Sequence, residues 1–134
     1  MKKASIALAA LALLAACSAF GARRTDTLQV PPGTSTVRLF ACTEDSLTAL
    51  GHGSSFWPGV SRKDVAGGVL ETGNYPEDNV IGFRVRMSYA AGSQAARIEM
   101  KAFGPYFTDL GAGTAMSDLR SAIARCLTTR PSRG

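Results

Sequence analysis

Histidine occurs once and tryptophan once in these 134 residues, and the three cysteines lie far apart. A lone imidazole without a closely spaced cysteine pair leaves no zinc-ligand pattern to build on. The carboxylates are no more promising as ligands. Glu44-Asp45 and Glu77-Asp78 are adjacent pairs that lack the alternating oxygen spacing of a calcium loop; the first suits a helix N-terminus and the second a turn. A hydrolase elbow needs glycine two residues on either side of its serine. Ser55 has Gly53 before it but Trp57 after it, so His52, Ser54 and Ser55 read as a solvated loop. Gly111-Ala112-Gly113 would need a third glycine at position 116 to match a dinucleotide fingerprint, and that position is Met116; the segment reads as a flexible connector. No catalytic residue, cofactor or metal is expected.

Long apolar runs are scarce too. The only one, Ile6–Ala16, rises about 16 Å as a helix, against a hydrocarbon core of ~30 Å. It is too short to span a membrane but has the make-up of an export signal: Lys2 and Lys3, then the apolar run, then small residues. Its closing residues, Leu14-Ala15-Ala16-Cys17, resemble the lipobox of bacterial lipoproteins. That resemblance implies cleavage before Cys17, acylation of this cysteine, and a membrane-anchored envelope protein. In many Gram-negative bacteria an Asp after the acylated cysteine retains such a protein in the inner membrane. Ser18 stands here instead, which implies the outer membrane, facing the periplasm. Ordinary cleavage after Ala19, giving a soluble secreted protein, is the alternative.

Loss of residues 1–16 leaves the length of one domain. Lys and Arg number 15 against 10 acidic residues; Lys2 and Lys3 would leave with the signal, so the remainder is only mildly basic and indicates no nucleic-acid partner. Residues 17–24 read as a lipidated polar tether, of which Ser18–Arg24 can reach about 24 Å. Arg23 and Arg24 would lie at anionic headgroups or simply in water. With Cys17 committed to lipid, Cys42 and Cys126 remain, and in an oxidising compartment such a pair bonds if it is within reach. Loop entropy would then contribute about 4 kcal/mol. Two buried thiols are the other reading.

From residue 25 to 130 the pattern is that of a single α+β domain, with a short tail at 131–134. A weak strand at Thr25–Val30 ends at Pro31-Pro32-Gly33. Val37, Leu39 and Ala41 alternate and predict a strand over Thr36–Ala41. Thr43 then caps a short helix through Leu47 and Leu50 to Gly51. His52–Lys63 reads as a loop, Val65–Thr72 as a weak strand, and Asn74–Asn79 as a turn. Two clear half-buried strands follow: Ile81, Phe83, Val85, Met87 and Tyr89 on one, Ala96, Ile98, Met100 and Ala102 on the other. A type II′ turn with Gly92 first pairs Met87 with Ile98, Val85 with Met100, Phe83 with Ala102 and Arg86 with Glu99. Thr114 is the expected N-cap of a C-terminal helix carrying Met116, Leu119, Ile123, Cys126 and Leu127 inward. The resulting order, (β)βαβββα, predicts a two-layer sandwich: an antiparallel sheet of three to five strands with one short and one long helix on a single face. In element order it is similar to the helix-grip domains of some envelope lipoproteins.

On the other sheet face, Arg84, Arg86, Arg97 and Lys101 form a basic stripe expected in water, partly neutralised by Glu99. Lipid phosphates, lipopolysaccharide or an acidic protein could meet it. Phe56-Trp57 and Tyr106-Phe107 either cap the core or form a partner patch. The expected role is an accessory or interaction protein of the envelope, held to the membrane by lipid and engaging an envelope protein. A ligand-binding lipoprotein for a lipid, glycan or anionic envelope component is the alternative.

Overall fold

The structure, a computed structural model, describes residues 21–77, 82–103 and 109–129; the leader, Cys17, Asp78-Asn79, Ile81, Tyr106-Phe107, Arg130 and the tail lie outside them. The chain forms β1 (Gly21–Gln29), α1 (Thr36–Gly53), β2 (Val60–Asp64), β3 (Val69–Thr72), β4 (Gly82–Ser88), β5 (Ala95–Phe103) and α2 (Asp109–Thr128). The strands make one antiparallel sheet in the order β1-β5-β4-β3-β2. Both helices lie over one face, as the α+β reading expects.

The β4–β5 register is the predicted one, with Met87 opposite Ile98, Val85 opposite Met100, Phe83 opposite Ala102 and Arg86 opposite Glu99. The turn is not. The Ser93 N–H donates to the Ala90 carbonyl at 2.9 Å, so Gly92 is the third residue of the turn, at φ +82°, where a type II turn needs a positive φ. Pairing is thus set by burial of Val85, Met87, Ile98 and Met100, all within 1% of full burial, and a different loop satisfies it.

The strand expected at Thr36–Ala41 is helical. Ser35 caps α1, its Oγ accepting the Arg38 N–H at 3.1 Å, and α1 is long, not short. Its buried face is Leu39, Phe40, Cys42, Thr43, Ser46 and Leu47, a spacing of helical period. Thr43 and Ser46 take part because their hydroxyls donate back to the Leu39 and Cys42 carbonyls, at 2.8 and 2.7 Å. Val37, which carried the strand reading, is 63% exposed. Glu44 and Asp45 consequently sit inside α1 instead of at its N-terminus.

Three further segments differ from expectation. Gly21–Arg24, assigned to the tether, begin β1. The single weak strand at Val65–Thr72 becomes a hairpin of β2 and β3, which takes in Val60–Lys63 from the expected loop. Helix α2 starts at Asp109, five residues before Thr114, and runs through Gly111-Ala112-Gly113. Small residues serve packing here: Ala112 is fully buried against Ala22 and Ala102, and a Cβ on Gly113 would lie 3.4 Å from the Arg24 guanidinium.

Cys42 and Cys126 are disulfide-bonded, with Cα atoms 5.5 Å apart, joining α1 to α2. Arg38 reinforces the same junction from α1. Its guanidinium donates to the Cys126 and Thr129 carbonyls at 3.1 and 2.7 Å, at the negative end of α2. Asp26 of β1 and Arg120 of α2 are bridged at 2.9 Å.

Candidate functional site

Away from the helices the sheet carries most of its charged residues, and the register sorts them into rungs. Thr25, Glu99, Arg86 and Glu71 lie across four strands. In this rung Arg86 lies between two carboxylates: its Nε meets Glu71 at 2.8 Å and its Nη1 meets Glu99 at 3.9 Å. Arg97 meets Glu99 at 2.9 Å from the next rung, and Arg62 meets Glu71 at 3.6 Å.

The rung Arg23–Lys101–Arg84, across β1, β5 and β4, has three cations and no carboxylate. Like charges opposite one another destabilise a sheet, so something must compensate. The turn at Asn74–Glu77 folds back over this face and supplies it. The Lys101 ammonium donates to the Tyr75 carbonyl at 2.8 Å, and Arg84 Nη1 to the Asn74 carbonyl at 2.6 Å. The Tyr75 ring lies 4.4 Å from both the Lys101 ammonium and the Arg86 guanidinium carbon, and the Phe103 ring 5.2 Å from that of Arg84; each ring face attracts a cation. Arg84 Nε and Nη2 are nonetheless buried without a hydrogen-bond partner among the described residues.

The expected stripe in water is therefore corrected. Arg84 and Lys101 are buried, at 1% and 6% exposure, and Arg86 is tied to Glu71. Of the four, Arg97 alone keeps a mostly exposed side chain. Tyr75 is itself buried, and its hydroxyl donates to Glu99 at 3.4 Å. Burial, then the Glu99 charge, raise its pKa above the ordinary tyrosine value, with Arg86 and Arg23 pulling the other way. Sequence reasoning missed Arg23, Tyr75 and Phe103. In the sequence Arg23 reads as part of the tether and Tyr75 as part of a turn.

Phe56 and Trp57 do not act as a pair. Trp57 packs on Phe83, ring centroids 4.9 Å apart, against the main core. Phe56 is 43% exposed. Trp57, Leu47 and Val60 also line an open cleft of about 360 Å³ beside Glu44 and Asp45, where Glu44 pairs with Lys63 at 3.0 Å. His52 is exposed in the last turn of α1, and Ser54 Oγ accepts the Phe56 N–H at 3.3 Å. Among the described residues no cluster of three His, Cys, Asp or Glu side chains could hold a metal, and no helix is long and apolar enough to cross a membrane. No protein-family model matches the chain, and no curated protein matches it.

Proposed function

We propose that this protein is a bacterial lipoprotein, anchored through acylated Cys17 to the outer membrane and facing the periplasm, where its domain serves as an accessory or interaction module of the envelope. The observation that carries this reading is the Lys2-Lys3, Ile6–Ala16 and Leu14-Ala15-Ala16-Cys17 series. The disulfide between Cys42 and Cys126 supports it, since such bonds persist in exported proteins. So does the start of β1 at Gly21, soon after Cys17. An envelope-protein partner belongs to this reading, and a catalytic step does not.

A second reading is favoured by the cations gathered on this sheet face, of which Arg23 and Arg97 are exposed: a lipoprotein that binds an anionic component of the envelope. Intact mass of the membrane-extracted protein tests the anchor. Loss of residues 1–16 with an added acyl-glyceryl mass, abolished by Cys17→Ser, is the expected result. An unmodified N-terminus at Phe20 would make the protein a soluble secreted one.

A further inference from the structure

Along the β2 edge of the sheet, α1 and the loop before β2 border the open cleft of about 360 Å³, a size within the ordinary range of binding sites. One wall is Glu44, Asp45 and Thr48 of α1; the other runs from Trp57 to Val60. The loop wall is held in place without a ligand. The Phe83 N–H donates to the Phe56 carbonyl at 2.8 Å and the Gly73 N–H to the Gly59 carbonyl at 3.0 Å, one on each side of Trp57, whose ring rests on Phe83. A wall fixed in this way loses little freedom on binding. The chain as a whole is basic, with 15 Lys and Arg against 10 Asp and Glu, yet the described residues lining this cleft include two carboxylates and no cation. Glu44 is answered from outside the lining, by Lys63 of β2 at 3.0 Å. Asp45 is exposed, and its side chain has no ion pair or hydrogen bond among the described residues. Aspartate is a poor helix former and gains nothing from the dipole in a helix interior, so no local contact explains its place in α1.

An ammonium or guanidinium group on an apolar stem suits this combination. Asp45 supplies the counter-charge, the Thr48 hydroxyl can accept a hydrogen bond, and Trp57 adds an indole, the aromatic group that attracts a cation best. The stem of a Lys or Arg can lie along Leu47, Pro58 and Val60, as such stems do on apolar surface. Lys63 already makes this kind of approach, bringing an ammonium to Glu44 from β2. Sites for free small molecules bury most of their ligand, whereas this cleft is open, which favours a group carried on a larger surface. We infer that the cleft between α1 and Trp57 receives a lysine or arginine side chain of a partner protein, with Asp45 as its counter-charge; the inference deepens the interaction reading proposed above and rests on it.

Trp57 is the single tryptophan, so isotope-labelled tryptophan gives one indole N–H resonance in the full-length protein extracted in neutral detergent. Acetyl-Gly-Lys-Gly-amide and its Arg counterpart are titrated against it, beside the norleucine peptide, which keeps the stem and lacks the charge. Saturable shifts in the millimolar range with at least one basic peptide, and none with norleucine, are expected, and salt should weaken them. Asp45→Asn should lower the affinity about fivefold, the equivalent of about 1 kcal/mol. Asp118→Asn, which alters an exposed carboxylate on α2, should leave it unchanged. Lys63→Met should raise it, because Glu44 is then released to the ligand. Equal shifts with norleucine, shifts with N-acetylglucosamine alone, or equal losses in the two Asp variants overturn the basic side chain as occupant. Absence of any shift overturns the cleft as a site. Intact mass on the same sample reports the anchor independently, so an acylated protein that binds neither basic peptide loses the cleft and keeps the lipoprotein reading. An unacylated protein that binds them keeps the cleft and loses the anchor.

Discussion

Tyr75 is the residue on which the charged sheet face turns. Its ring receives Lys101 and Arg86, its carbonyl receives Lys101, and its hydroxyl reaches Glu99. Burial and the Glu99 contact favour the neutral phenol, because a phenolate at that place would be buried and would face the Glu99 carboxylate, and together they outweigh the Arg86 and Arg23 charges. The raised pKa makes folding stability depend on pH with a definite sign. Below about pH 10, the ordinary tyrosine value, the phenol is neutral in both folded and unfolded chains and its contribution is complete. As pH rises through the higher folded value, the unfolded chain ionises first and stability falls. Tyr75→Phe keeps the ring and removes the proton. Urea midpoints at pH 8 and near pH 10.5 should show the wild type losing more stability than Tyr75→Phe over that interval. Equal losses would mean that Tyr75 is not held neutral by the fold.

At the scale of elements, the two helices are held together by a bond between residues 84 apart in sequence. Closing so long a loop in the unfolded chain is worth about 4 kcal/mol by chain entropy. The Cys42→Ser, Cys126→Ser double variant should therefore lose on the order of 4 kcal/mol in urea unfolding, and reductant should bring the wild type to the same midpoint without moving the variant. A loss under about 1 kcal/mol would place the stability of the α1–α2 pair elsewhere, in contacts such as Arg38 with the end of α2. This pairing was legible in the sequence because only two cysteines remained once Cys17 was set aside. The β4–β5 register was legible for a similar reason: slipping by one residue would bury Arg97 and Glu99 and expose Ile98 and Met100. Helix α1 was not, since Thr43 and Ser46 belong to its buried face through bonds to their own helix, and a polar letter conceals such a position. Nor was the cation rung. It is assembled from β1, β5 and β4 and roofed by Tyr75, so its members lie up to 78 positions apart, and nothing local in the sequence brings Arg23 to Lys101.

At the scale of the whole molecule, the sheet has two ends with different surroundings. Gly21, Phe56, Gly82 and Phe103 mark one; the segments at 30–35, 65–68 and 89–94 mark the other, where β1 ends and β5 begins. Nine residues of β1 hold them about 30 Å apart. If the first end rests on lipid, the second stands away from it and presents the α1 N-terminus and the exposed Val37 and Val65 to the periplasm, where an envelope partner would reach them. The short connection to Cys17 would impose this posture, and changing its length tests it. Twenty Gly/Ser residues inserted after Ala19 would give the linker a root-mean-square reach of about 27 Å, enough to let the domain turn freely. In neutral vesicles that insertion should abolish quenching of Trp57 by brominated lipid, because only the short chain keeps the residue there. Undiminished quenching would show that something other than the short connection holds this end at the bilayer.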